Sequence, residues 1–302
     1  MNSVSQFFDK NIYGKSKNLS PFRQDIAASY LSKYVTSKRF VDGVKMQVLQ
    51  GVTALRRNPD PYSEQVSQIL FGSHFIVYEE KNSWAWGQSL DDHYVGYLPF
   101  SALDQGIDKP THRVSCLATN LYEEPSGKSR SIQGMPFNSV LKLEKLSRDG
   151  RFIQTPVGWV PLEHISPLEE QLNYVEVAEM FLTCPYLWGG KTLLGIDCSG
   201  LVQVALNAFG IMCPRDTGMQ FVALKAKHYD DRTSLGRGDI MFFPGHVGIM
   251  SDEENLIHAN AHHMATVNEP LGHVIDRLRE DHEDPVTGYV PASLIAELNQ
   301  AV

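Results

Sequence analysis

The residues of this sequence best suited to chemistry are one cysteine and two histidines. Cys198 stands in the run Gly195-Ile196-Asp197-Cys198-Ser199-Gly200-Leu201-Val202-Gln203. Beyond it, Leu201, Val202, Ala205, Leu206 and Phe209 recur at helical spacing and Gly210 is a natural stop, so the pattern predicts a helix that begins at Cys198. Unpaired N–H groups and the positive end of the helix dipole stabilise an anion there, which favours a thiolate and could hold an oxyanion. Asp197 resembles an N-cap.

A nucleophilic thiol needs a base. Gly238-Asp239-Ile240-Met241-Phe242-Phe243 reads as a buried strand, Pro244-Gly245 as a turn and His246-Val247-Gly248-Ile249-Met250 as a second strand. Polar residues 251–255 make a hairpin turn, and Leu256-Ile257-His258-Ala259 returns. Pairing about Asp252 sets His246 directly opposite His258, on one face of the sheet. His246 is then placed to act as the base and His258 to orient it. The i, i+4 spacing of His258 and His262, with His263 adjacent, invites a metal-binding reading. The strand character of His258 and the lack of a carboxylate–histidine pattern argue against it, so neither metal nor cofactor is expected. Cys116, Cys184 and Cys213 read as small buried hydrophobes.

These elements belong to a chain of 302 residues, long enough for two or three domains. A formal net charge of −8 argues against nucleic acid or an anionic membrane as the main partner, and no apolar run approaches a membrane span. The N-terminal residues carry neither the basic start nor the apolar stretch of a secretory signal, and no cysteines form a C-x-x-C pair. A cytoplasmic location with reduced thiols is the expectation. Residues 1–40 read as an N-terminal extension with a helix from Pro21 through Tyr34. From 41 to 168 short β-rich runs alternate with Gly, Pro, Asn and Asp, and a weak repeat runs through them. Val95-Gly96-Tyr97-Leu98-Pro99 returns as Val157-Gly158-Trp159-Val160-Pro161, with Tyr97 and Trp159 62 residues apart. Two small β modules follow, 41–108 and 109–168. Helical periodicity resumes with Leu172, Val175, Val177, Ala178, Met180 and Phe181, which open a last domain, 169–302. The fold class is α+β.

Several motifs here resemble a known family in kind and order: Tyr186-x-Trp188-Gly189-Gly190, Asp197-Cys198-Ser199-Gly200-Leu201-Val202-Gln203, Pro214-Arg215-Asp216-Thr217-x-x-Gln220, Gly238-Asp239-Ile240-Met241-Phe242-Phe243, His246-Val247-Gly248-Ile249 and Ile257-His258-Ala259. From about 173 to 295 the chain is similar to the NlpC family of cell-wall cysteine peptidases, papain-like in fold. That resemblance implies Cys198, His246 and His258 as the catalytic triad. The β modules resemble bacterial SH3-like domains, two small barrels ahead of the peptidase. The whole layout resembles γ-D-glutamyl-L-diamino-acid endopeptidases of murein recycling, which cut murein-derived peptides carrying a free N-terminal L-alanine. By the same resemblance Tyr186, Asp197, Ser199 and Thr217 line the site. Tyr94 and Glu64 of the first module would help to bind the alanine ammonium, with Tyr97 competing for the tyrosine's place. Two readings from other classes stand beside this one. A non-catalytic murein-binding protein is opposed by the intact Cys198, His246 and His258 set. A thiol amidase or acyltransferase on the same fold would be indifferent to a blocked N-terminus.

Overall fold

Short β runs closed by Gly and Pro turns cannot bury their apolar faces singly, and they solve this here by coiling into two successive small β modules. In the computed structural model, which describes residues 16–106, 108–230 and 234–300, the chain divides into two units that meet in sequence between Glu170 and Gln171. The N-terminal unit holds both β modules. The first has strands β1 (Val44–Val48), β2 (Val52–Arg56), β3 (Gln65–Leu70), β4 (His74–Lys81), β5 (Trp84–Ser89), β6 (Val95–Pro99) and β7 (Leu103–Asp104). The second has β8 (His112–Val114), β9 (Ala118–Tyr122), β10 (Ser131–Pro136), β11 (Val140–Leu141), β12 (Phe152–Thr155), β13 (Gly158–Pro161) and β14 (Ile165–Pro167).

The sequence repeat is a repeat of topology. Strands of the first module run in the order β3-β2-β6-β5-β4-β1-β7; those of the second run β10-β9-β13-β12 and β11-β8-β14, the same order strand for strand. Each strand pairing that joins the second strand to the sixth is made through the repeated aromatic, Arg56 with Tyr97 and Tyr122 with Trp159. The modules also share a core. Phe71, at the end of β3, packs with Val114, Leu121, Met135, Leu141 and Val160 of the second module, and its carbonyl accepts from Val140 N–H at 3.0 Å.

The helix expected from Pro21 through Tyr34 does not form. Ala27–Ala28 pairs in parallel with Phe40–Val41, and a single 3₁₀ turn covers Ser29–Leu31. Tertiary packing overrides local preference here: Ile26, Ala28 and Leu31 are buried with Tyr78 and Trp86 of the first module, and a helix would turn part of that set to solvent. The first fifteen residues of the expected extension lie outside the described residues.

In the C-terminal unit, α1 (Tyr174–Met180) starts on an Asn173 cap whose side chain accepts from Val175 N–H and Glu176 N–H. It packs on α2 (Cys198–Phe209), the longest helix described, followed by α3 (Thr217–Ala223). Strands β15 (Ile240–Phe243), β16 (His246–Met250), β17 (Asn255–Asn260) and β18 (Ala265–Pro270), helix α4 (Leu271–Leu278), strand β19 (Gly288–Val290) and helix α5 (Ala292–Gln300) follow. The strands form one antiparallel sheet in the order β18-β17-β16-β15-β19. All four residues of β15 are buried because the sheet is covered on both sides. Met241 and Phe243 pack with Leu271 and Val274 of α4, while Phe242 meets the Phe221 ring edge to face. Helix α2 lies on β16 and β17.

If Phe71 joins the two cores, Phe71→Ala should lower the unfolding free energy of the N-terminal unit by about 3 kcal/mol. Urea denaturation followed by tryptophan fluorescence measures it. A loss below about 1 kcal/mol contradicts the shared core.

Candidate active site

Helix α2 begins where the sequence places it, at Cys198, and ends at Gly210. Asp197 caps it, its Oδ1 accepting from Gly200 N–H at 2.7 Å. The same carboxylate accepts from Gly189 N–H at 2.8 Å and from both guanidinium arms of Arg215, at 2.9 and 2.6 Å. Arg215 also donates to Ser199 Oγ at 2.8 Å. Asp197 is 4% exposed and Arg215 2%, so this is an ion pair without access to water, tolerable only because the remaining lone pairs are met by N–H groups. Gly200 permits the closeness: a Cβ there would lie 2.3 Å from the Gly190 carbonyl oxygen. Asp197 is thus spent inside the fold, fixing the first turn of α2 to the Gly189-Gly190 turn. Ser199 is buried in the same cluster.

Thr217, the first residue of α3, hydrogen-bonds to the Cys198 sulfur, as does the Ser199 N–H. Burial pushes the thiol up to about 11, and the Asp197 charge pushes the same way. The Ser199 and Thr217 hydrogen bonds and the Arg215 charge oppose them without prevailing. The helix start therefore does not by itself hold a thiolate, contrary to the expectation from sequence. Tyr186 sits close enough to feel this site: burial, with the Cys198 and Asp197 charges behind it, raises its phenol to about 12. Its backbone is fixed by Tyr186 N–H donating to the Met264 carbonyl at 2.9 Å. Trp188 is no core aromatic, at 60% exposed.

The histidines lie on adjacent strands, but the register differs from the one expected. Ile249 pairs with Ile257 and Met250 with Leu256, so His258 faces Gly248 rather than His246. The cause is the turn. Asp252 Oδ1 accepts from Glu254 N–H and Asn255 N–H, both at 2.8 Å, and Ser251 N–H donates to the Asn255 carbonyl, which centres the hairpin on Glu253. An offset of two residues leaves every side chain on its face. The imidazoles still meet, diagonally, with His246 Nε2 2.7 Å from His258 Nδ1. Gly248 leaves room for this, since a Cβ there would come within 2.8 Å of Leu256 Cγ and 3.0 Å of His258 Cβ. Burial drives both rings neutral, His246 down to about 3 with help from His258, and His258 to about 4 against the pull of Glu269.

Two residues that the sequence reading did not single out complete the group. His258 Nε2 lies 2.8 Å from Glu269 Oε1, and Arg277 of α4 forks onto Glu269 at 2.6 and 3.3 Å. An acidic residue on a strand that returns beside His258 was the available signal. Both ring nitrogens of His258 are thereby occupied, which leaves it no lone pair for the metal site considered with His262. Among the described residues no group of three metal-ligating side chains comes together.

Tyr94 and Glu64 belong to the N-terminal unit. Tyr94 is buried there and its hydroxyl accepts from Asn18 Nδ2 at 3.1 Å; Glu64 pairs with Arg57 at 2.6 Å on the surface. Tyr97, the competitor, accepts from Arg23 at 2.7 Å, and that guanidinium lies 4.3 Å over the Trp86 ring.

A cysteine opening a helix that packs on an antiparallel sheet, with a histidine pair on that sheet, is a papain-like arrangement and supplies the parts that a cysteine peptidase needs. More particularly, residues 183–280 match the NlpC/P60 family and residues 55–103 the family described as the bacterial dipeptidyl-peptidase Sh3 domain, so the chain carries both domains. The second β module has no such match of its own; its likeness to the first rests on strand order. Among known proteins the chain is 27% identical over 238 residues to dipeptidyl-peptidase 6 of Lysinibacillus sphaericus, covering 70% of this chain and 86% of that one. It is also 27% identical over 228 residues to a gamma-D-glutamyl-L-lysine dipeptidyl-peptidase of Bacillus cereus, covering 64% and 66%. A crystal structure of an NlpC/P60 family protein from Bacillus cereus superposes with a TM-score of 0.67 at 21% identity, over 82% of this chain and 99% of that one. That likeness supports the fold.

Because burial holds the thiol protonated, alkylation of the free enzyme by iodoacetamide at Cys198 should climb about tenfold per pH unit from pH 7 to 9. Thr217→Val removes a bond to the sulfur that favours the thiolate, and should slow alkylation at pH 8 by about threefold to tenfold. A rate that is flat between pH 6 and 8 contradicts the neutral thiol.

Proposed function

We propose that this protein hydrolyses the bond between γ-D-glutamate and meso-diaminopimelate, or lysine, in murein stem peptides with a free N-terminal L-alanine. The observation that carries this reading is Cys198 at the start of a helix packed on the strands of His246 and His258. The name of one relative, a gamma-D-glutamyl-L-lysine dipeptidyl-peptidase, supplies the substrate class, and the similarity of both dipeptidyl-peptidase relatives extends well beyond the peptidase domain.

The chemistry follows from the parts. As substrate binds and displaces water, the Cys198 proton passes to His246 and the sulfur attacks the γ-glutamyl carbonyl. The Cys198 N–H meets the oxyanion, since Gly200 N–H and Leu201 N–H are already held by Asp197. The C–N bond breaks as His246 returns the proton to the leaving amine. Water, deprotonated by the same imidazole, then splits the thioester. Tyr186 and Thr217 line the reacting centre, while Asp197 and Ser199 hold its frame. In this reading the alanine ammonium is recognised as a fixed cation, which requires a carboxylate. Recognition of a free end selects short peptides, which fits recycling of wall fragments in the cytoplasm rather than cutting of intact wall.

Incubation with L-Ala-γ-D-Glu-meso-diaminopimelate, followed by mass spectrometry, should release L-Ala-D-Glu. Cys198→Ala should abolish release, and N-acetylation of the peptide should lower kcat/KM at least about tenfold. Equal product from Cys198→Ala would refute the nucleophile; equal cleavage of the acetylated peptide would refute recognition of the free end.

A further inference from the structure

The neutral histidine pair continues into two charged groups, Glu269 and Arg277, and their chemistry fixes where every proton in the chain must sit. Glu269, an ionised carboxylate, can only accept hydrogen bonds. Burial works to raise its pKa, but the hydrogen bonds from Arg277 and His258 outweigh it and hold the carboxyl below its ordinary value. Its Oε1 lies 2.8 Å from His258 Nε2, so Nε2 bears a proton. A neutral His258 then has its lone pair on Nδ1, 2.7 Å from His246 Nε2, which in turn bears a proton. A neutral His246 is left with one lone pair, on Nδ1.

We propose that Glu269, held by Arg277, is a positioning residue that sets the direction of this hydrogen-bond chain and so makes Nδ1 of His246 the base that accepts the Cys198 proton. The inference rests on the reading of Cys198 as nucleophile given above. When the thiol proton moves, the S–H bond breaks and an Nδ1–H bond forms. Nothing else along the chain has to move. The imidazolium on His246 donates to His258, which donates to the Glu269 carboxylate, so the new positive charge faces a negative one across a neutral ring.

Asn260 shows what the carboxylate prevents. Its amide nitrogen lies 3.3 Å from His258 Nε2, while its oxygen accepts from His263 N–H at 2.8 Å. With Glu269 gone, the Asn260 amide becomes the donor beside Nε2 and favours the proton on Nδ1 of His258. That tautomer turns the chain around: His246 Nε2 becomes the acceptor, and Nδ1 bears hydrogen and can take no proton from sulfur. The other charged neighbours act on the same groups. Arg277 disfavours charge on both imidazoles and keeps Glu269 from drawing a resting proton onto His258, and His263 Nδ1 stands 3.7 Å from Glu269 Oε1. The Phe243 ring, 5.9 Å from that of His246, is uncharged.

The test is nitrogen NMR of the full chain labelled in its histidine rings, with turnover of the tripeptide measured on the same samples. In the wild type at pH 7 both His246 and His258 are expected to carry hydrogen on Nε2 and a bare Nδ1. Glu269→Met should shift both rings toward hydrogen on Nδ1 and lower kcat about 10- to 100-fold, with KM changed by less than about twofold. Glu269→Gln, whose amide oxygen still accepts, should keep the wild-type tautomers and restore kcat to within about fivefold. Wild-type His258 protonated on Nδ1, or a Glu269→Met kcat within about twofold of wild type, overturns the proposal. Failure of the wild type to cut the peptide would instead strike the functional reading, because the tautomers are read without substrate.

Discussion

One buried ion pair organises the nucleophile. Asp197 and Arg215, both shielded from water, join the Gly189-Gly190 turn, the first turn of α2 and the approach to α3 at a single carboxylate. An unpaired charge at that depth would cost several kcal/mol, so each partner obliges the other to stay, and the segments they belong to stay with them. Gly200 lets the helix start close on the Gly190 backbone, and the Thr217 hydroxyl reaches the sulfur because α3 begins two residues after Arg215. The position of Cys198 is a consequence of this packing. Its ionisation is not, since the same burial that fixes the sulfur disfavours its charge.

A second acid–arginine pair, Glu269 with Arg277, stands behind the histidines. The two pairs share a logic. Each carboxylate orders hydrogen-bond donors around a reacting group, and each is forked by an arginine. Thiol and imidazoles rest neutral between two neutralised pairs. Charge separation then waits for a substrate that excludes water and offers a carbonyl to attack.

The sequence made much of this visible because local signals carry it. The helix at Cys198 is written in a cap, an apolar period and a terminal glycine, and the strands of His246 and His258 in buried runs separated by turns. The two β modules show themselves through one repeated Gly-aromatic unit whose aromatics, Tyr97 and Trp159, occupy equivalent pairings. What stayed hidden depends on partners distant in sequence or on side-chain geometry. The hairpin register moved by two residues because the Asp252 carboxylate centres the turn on Glu253, though face alternation preserved the meeting of the rings. The helix expected from Pro21 through Tyr34 gave way to a pairing that buries Ile26, Ala28 and Leu31 on Trp86. Arg215 lay inside a motif without a visible role, since nothing local names the carboxylate it will bury, and Glu269 and Arg277 gain meaning only once β18 returns beside β17.

The most direct test is to map the site of inactivation by a chloromethyl ketone built on L-Ala-γ-D-Glu, by mass spectrometry of the digested protein. One adduct per chain on Cys198, formed in step with loss of activity and slowed by the tripeptide, is the expected result. An adduct on Cys116, Cys184 or Cys213 instead, or full activity in protein modified at Cys198, would contradict the assignment of Cys198 as the nucleophile.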